Sequence, residues 1–167
     1  RGCALALQKD PGMTLRIRIA GKGSQEKELK ELADELNIAN CIEWLGFVDI
    51  SCVPSIWQSL DVAVIPSESE SESFGVSAVE AQACGLPVII SDIPGLMEAT
   101  CPDARVVVPR GDASAIADAL IKLYHEPKRR HAMGAAGRKF VEEYLALAPC
   151  FEHIEGIYAR NMGILHG

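Results

Sequence analysis

The apolar positions of this chain fall into two alternating rhythms. Over 14–20 (TLRIRIA) every second residue is apolar, with Leu15, Ile17 and Ile19 on one side, the period of a strand covered on one face. Over 24–36 the spacing changes to three and four, so Leu29, Leu32, Ala33 and Leu36 share one stripe of a helix. A strand is expected over 42–45, ended by Gly46, and a short helix over 55–60. The run DVAVI at 61–65 is almost continuously apolar, which marks a central parallel strand buried on both faces. Pro66 stops it, and the polar stretch SESESES at 67–73 reads as a loop. A helix follows over 74–84, with Gly85 in the position just past its end and Pro87 beyond. A second buried strand spans 87–91, a turn 92–95, and a last strand 105–108. Three helices close the chain at about 113–124, 127–144 and 149–161; Asp112 stands near the start of the first, whose inner face carries Ala115, Ala119, Leu120 and Leu123.

Strands that alternate with longer helical patterns predict βαβ units, and hence a doubly wound α/β domain around a parallel sheet. The 167 residues make one domain, 1–167. In such a sheet ligands sit outside the carboxyl ends of the strands. The loops at 21–24, 46–49, 66–75 and 91–95 are therefore the ones that matter.

Composition narrows the function classes. No apolar run approaches the ~20 residues that cross a bilayer, and the first residues, Arg1-Gly2-Cys3-Ala4-Leu5, lack the pattern of a signal peptide. The absence of an initial Met suggests a piece of a longer polypeptide. A formal charge of −7 argues against broad nucleic-acid binding, which needs a basic footprint. The basic residues Lys122, Lys128, Arg129, Arg130, His131, Arg138 and Lys139 gather in the last third. They read as a solvated helix face and not a membrane patch, because the aromatic anchors of such a patch are nearly absent. Six cysteines show no CxxC pattern and four histidines no HExxH pattern. We expect reduced, mostly buried thiols in a cytoplasmic protein, and no metal site.

The chemistry gathers around 66–80. Glu72 stands in the loop, Phe74-Gly75-Val76-Ser77 opens the helix, and Glu80 lies a little over one turn inside it. A helix N-terminus offers unpaired amides and about half a positive charge, which suits phosphate or sugar hydroxyls. Gly75 lacks the Cβ that would obstruct a ligand approaching that backbone. Two carboxylates eight positions apart could touch different parts of one extended ligand, while by themselves they are better explained as an ordinary loop acid and a helix acid that caps or pairs with a neighbour. Gly21-Lys22-Gly23 is either a ligand-facing turn or a plain one, with Lys22 facing solvent. Trp44 and Trp57 are expected in the core.

The segment from Pro66-Ser67 through Glu72-Ser73-Phe74-Gly75-Val76-Ser77-Ala78-Val79-Glu80 to Gly85-Leu86-Pro87-Val88 resembles the E-x7-E region of glycosyltransferase family 4, retaining enzymes with the two-lobed GT-B fold. The resemblance covers nearly the whole chain. Ile19-Ala20-Gly21-Lys22-Gly23 is similar to the family's strand and G-x-G turn, Trp44-Leu45-Gly46-Phe47-Val48 to its L-G-x-V strand end, Asp61-Val62 to its A-D-V, and Gly95 with Glu98 to its G-x-x-E. It implies a Rossmann-like domain, the C-terminal, donor-binding lobe of a GT-B enzyme that transfers a sugar from a nucleotide diphosphate sugar without metal or other cofactor. By the same resemblance Glu72 would be the catalytic-side acid beside the anomeric carbon. The amides of Phe74, Gly75, Val76 and Ser77 would hold sugar hydroxyls and pyrophosphate, and Glu80 the two ribose hydroxyls. The backbone at Phe47 and Val48 would border the base, and Gly21, Gly23 and Ser24 would shape the cleft floor.

Departures from the family pattern define what else to expect. The R-x4-K pair that grips the diphosphate is absent from these residues, and Arg1-Gly2 resembles the K-G that ends it, with Arg for Lys. The acceptor lobe, normally in the same chain, and the first strand of this lobe are absent too, so the fragment alone is expected to be inactive and any peripheral membrane contact would belong to the missing lobe. Gln82 and Cys84 replace commoner residues and are expected to face packing. Two other readings stand beside the transferase: a non-catalytic nucleotide-sugar-binding module that works with a separate acceptor lobe, and a sugar-nucleotide epimerase of the same architecture.

Overall fold

The computed structural model describes residues 1–68 and 74–161. Every strand expected from the apolar rhythm is present. β1 (Ile17–Ala20) and β2 (Ile42–Gly46) form a parallel pair in which Ile17 faces Ile42 and Ile19 faces Trp44. β3 (Ala63–Ile65), β4 (Val88–Ser91) and β5 (Arg105–Val108) form a second parallel sheet in that order. Ala63 pairs with Val88, and Ile90 with both Ile65 and Val107. Among the described residues the single sheet inferred from the sequence is thus two parallel sheets, of two and three strands.

β4 shows why its sequence is apolar without alternation. Ile89 packs into one cluster with Val108, Leu120 and Leu123. Val88 and Ile90 point the other way, into a cluster with Ala78, Ala81, Ile93 and Leu96. Both faces of the strand are covered, and Val88, Ile89 and Ile90 have no solvent exposure. The first face is built by α6 (Ala113–His125), whose predicted inner residues Ala119, Leu120 and Leu123 are buried. Asp112 caps this helix, its side chain accepting from the Ala115 amide at 2.9 Å.

α1 (Gly2–Lys9) is not among the elements expected from the sequence, because residues 2–7 are apolar throughout and show no polar face to set a stripe against. It is nonetheless the joint of the domain. Cys3 and Leu7 pack both in the cluster containing Ile89 and Val108 and in the one containing Ile17, Ala33, Ile38 and Ile42, so one helix ties the two sheets together. Lys9 also bonds Asp118 at 2.7 Å and Ser114 at 2.9 Å across to α6.

The second face of β4 is covered by α4 (Val76–Ala83) and by α5 (Pro94–Ala99). The latter corrects the turn expected at 92–95: Pro94 opens a helix, where its missing N–H has no intrahelical partner to lose. The helix read over 127–144 is also corrected. α7 (Pro127–Phe140) passes into a π-helical turn, Val141–Leu145, and the chain turns extended at Ala146 before α8 (Leu147–Asn161) begins. All six cysteines are free, but only Cys101 is buried and Cys52 is exposed, against the expectation of mostly buried thiols. Packing space inside the core is taken by Ile, Leu, Val and Ala. Among the described residues no helix is long and apolar enough to cross a membrane.

Candidate functional site

Two groups of residues sit at the carboxyl ends of the strands. The first joins the ends of β1 and β2. The Gly21 amide donates to the Gly46 carbonyl at 2.7 Å, which sets the 21–24 turn beside the segment leaving β2. An open depression of about 310 Å³ lies there against Ala20, Gly21, Gly23, Ser24 and Trp44. Gly21, Gly23 and Ser24 are exposed and Val48 is half-buried, while Phe47 is 78% exposed. Trp44, expected in the core, is only half-buried, and the Lys30 ammonium lies 5.5 Å from the centre of its ring system.

The second group is the start of α4. The helix begins at Val76, not at Phe74; Gly75 is its N-cap, with φ +67°. Phe74 and Gly75 therefore precede the helix. Gly75 is buried, and a Cβ there would overlap the Leu96 side chain of α5. The missing Cβ therefore makes room for Leu96. Val76 and Ser77 face outward, Val76 being 60% exposed, and as the first residues of a helix they have amides with no intrahelical acceptor. Ala78 and Ala81 turn inward and are fully buried.

Glu80 lies one turn in and is half-buried. Its Oε2 accepts a hydrogen bond from the indole Nε1 of Trp57 at 3.4 Å. Trp57 ends α3 (Val53–Trp57), and its side chain packs against the cluster of Ala78, Ala81 and Leu86. Reading it as a core residue missed this contact; the signal available was that a partly buried indole needs an acceptor for its N–H. One turn further on, the Cys84 thiol points to the Pro54 carbonyl at 4.0 Å, so α3 meets α4 at two levels. Partial burial pushes the Cys84 thiol up; Arg138 pulls it down and Glu80 adds to the rise.

The two groups are linked through α3. The segment leaving β2 at Phe47 and Val48 runs through a 3₁₀ turn, Ile50–Cys52, directly into α3. Asp49 caps that turn by accepting from the Ser51 amide at 2.9 Å. Behind it, Arg18 of β1 holds Glu43 of β2 at 2.9 Å and the Ser59 hydroxyl past α3 at 2.7 Å. Glu72 lies outside the described residues. Glu98 is exposed on α5, and Arg1 is exposed at the head of α1. Gln82 faces packing as expected: it is fully buried and its Oε1 accepts the Cys101 amide at 3.0 Å.

Residues 4–140 match the family model of glycosyl transferases group 1. A GDP-mannose-dependent monoacylated alpha-(1-6)-phosphatidylinositol monomannoside mannosyltransferase of Corynebacterium glutamicum is 33% identical over 76% of this chain and 34% of its own length. A D-inositol 3-phosphate glycosyltransferase of Corynebacterium aurimucosum is 32% identical over 98% of the chain and 39% of its own. The chain thus spans between a third and two fifths of these relatives. Among solved structures, sucrose-phosphate synthase from Thermosynechococcus elongatus superposes with a TM-score of 0.80 at 25% identity, covering 98% of this chain and 42% of that one. Anabaena Alr3699/HepE, solved in complex with UDP-glucose, gives 0.80 at 22% identity over 95% of this chain and 44% of its own. The fold is that of a Rossmann-like domain of the GT-B glycosyltransferases. On the match over residues 4–140, this chain belongs to the glycosyl transferases group 1 family.

Proposed function

We propose that this chain is the donor-binding lobe of a retaining glycosyltransferase, which moves a sugar from a nucleotide diphosphate sugar to an acceptor held by a second lobe of the same polypeptide. The observation that carries the reading is the start of α4, where Val76 and Ser77 sit exposed and Glu80 is held half-buried by Trp57 one turn away. An anionic diphosphate is favoured at a helix N-terminus by first-turn amides that have no intrahelical acceptor and by the macrodipole. A carboxylate at the distance of a further turn can accept the two hydroxyls of a ribose through charge-assisted hydrogen bonds. The amides from Phe74 to Ser77 serve the sugar and diphosphate, Glu80 the ribose, and Phe47 and Val48 the edge of the base. The 21–24 turn forms the floor, and Glu72 takes the place beside the anomeric carbon. A solved neighbour that carries UDP-glucose on the same fold supports a nucleotide sugar as the donor.

The reaction this site would serve breaks the bond between the anomeric carbon and the diphosphate oxygen. Negative charge then grows on the leaving nucleoside diphosphate, and fixed dipoles aimed at it lower the barrier. Bond formation to the acceptor needs the second lobe to close over the donor, so transfer belongs to the two-lobed enzyme and not to this domain alone. The six thiols fit a reducing, cytoplasmic setting.

The test is a calorimetric or ligand-observed NMR titration with UDP, GDP, ADP and UDP-glucose, repeated on Glu80→Ala. One nucleotide should bind with a Kd of roughly a millimolar, and the substitution should weaken it at least about tenfold. Equal binding by the folded variant would remove Glu80 from the site, and no binding of any of the four by the wild type would sink the donor-lobe reading.

A further inference from the structure

We infer that Trp57 is a positioning residue for ribose recognition: its indole fixes the Glu80 carboxylate in the orientation that accepts a vicinal diol. The inference rests on the reading of Glu80 as the ribose acceptor. The terminal torsion of a glutamate side chain is broad and costs little to turn, so a carboxylate that must meet two hydroxyls at once needs an outside restraint. The Nε1 of Trp57, 3.4 Å from Oε2, supplies one. An indole N–H donates and accepts nothing. It occupies one of the roughly four acceptor positions of the carboxylate and leaves the negative charge in place for the ligand, where a lysine or arginine would neutralise it.

The donor is itself held. The Trp57 ring packs against the cluster of Ala78, Ala81 and Leu86, and the α3 it ends touches α4 again where Cys84 meets Pro54. The Ser55 hydroxyl donates back to the Cys52 carbonyl at 2.7 Å and steadies the first turn of α3. Because α3 follows directly on the loop at Phe47 and Val48, the same short helix couples the proposed base edge to the ribose acceptor.

The experiment combines an indole signal with a choice between ligands. Two tryptophans give two indole N–H signals in a ¹H–¹⁵N spectrum, and Trp44→Phe assigns them. The Trp57 signal should move when Glu80→Ala removes its acceptor and return towards the wild-type position in Glu80→Gln, which keeps one; a signal indifferent to both substitutions overturns the hydrogen bond and the inference. Affinities for UDP, GDP and ADP are then compared with those for their 2′,3′-dideoxy counterparts. Trp57→Phe should weaken the ribonucleotide about fivefold and leave the dideoxy form unchanged. Equal weakening of both forms shows a packing role only and overturns the proposal. If Glu80→Ala abolishes the preference for the ribonucleotide while Trp57→Phe retains it, this inference fails and the reading of Glu80 survives. If Glu80→Ala also retains the preference, or if the wild-type chain binds none of the nucleotides, the ribose reading falls and takes the positioning role with it.

Discussion

The side chain of Leu96 occupies the space a β-carbon on Gly75 would need, at the point where α5 packs under the start of α4. Gly75 also holds a φ of +67°, which a residue with a Cβ adopts at a cost of about 1–2 kcal/mol. Gly75→Ala therefore combines strain with overpacking, worth typically ~1–3 kcal/mol. We expect a loss of about 2–5 kcal/mol in urea unfolding. Pairing it with Leu96→Ala should recover part of the overpacking, so the two losses would add to less than their sum. Strict additivity would show that Leu96 is not what excludes the Cβ.

The glycines of the last two helices should rank by what surrounds them. A Cβ on Gly134 of α7 would collide with the Gly85 carbonyl oxygen, a backbone atom that cannot turn aside. At Gly137 it would lie 3.0 Å from the Ala104 Cβ and 3.2 Å from Gln82. At Gly156 of α8 it would meet only the end of Arg160 at 3.6 Å. Thermal melts should show Gly134→Ala as the most damaging and Gly137→Ala as intermediate. Gly156→Ala should be neutral or stabilising by up to ~1 kcal/mol, through the better helix propensity of alanine. A melt that places Gly134→Ala beside Gly156→Ala would contradict the close approach of α7 to the end of α4.

The hold between β1 and β2 should weaken in acid. The hydrogen bond from Arg18 lowers the Glu43 pKa below its ordinary value of 4.5; desolvation opposes it, and the charges of Arg18 and Arg16 add to the lowering. A carboxylate with a depressed folded pKa stabilises the fold above its unfolded pKa, and that contribution is lost as pH falls through the folded value. Urea midpoints of wild type and Glu43→Gln should therefore differ at neutral pH and converge as pH falls through the lowered Glu43 value, below the ordinary 4.5. A difference that stays constant with pH would show that the ion pair contributes nothing.

α8 leaves Leu147, Phe151, Ile154 and Tyr158 in water, at a spacing that puts them on one stripe, with exposures of 77, 62, 47 and 63%. A contiguous apolar face of this kind favours association. Sedimentation velocity of this chain should show concentration-dependent self-association that Phe151→Lys reduces without altering the melting temperature. Unchanged association in the variant would place the contact elsewhere.

The sequence by itself determined the strands, most of the helices and the family. The shift from period two at Leu15, Ile17 and Ile19 to period three-and-four at Leu29, Leu32 and Leu36 is local information, since it reflects which face of each element is covered. The unbroken apolar runs of β3 and β4 likewise announced a strand between two layers. Glu80, the 21–24 turn and the segment after β2 were legible because short-range spacing places them at strand ends and at a helix start. α1 was hidden, since a short helix buried on several sides needs no amphipathic stripe, and residues 2–7 carry no polar position to mark one. Only the tertiary structure decided that Gly75 is a packing residue, that Trp57 holds Glu80, and that α1 joins two sheets. Each of these depends on contacts between residues distant along the chain: 21 positions from Gly75 to Leu96, and 23 from Trp57 to Glu80. Periodicity carries no record of such pairs. They follow from how closely packed layers share space, a property of the folded chain as a whole.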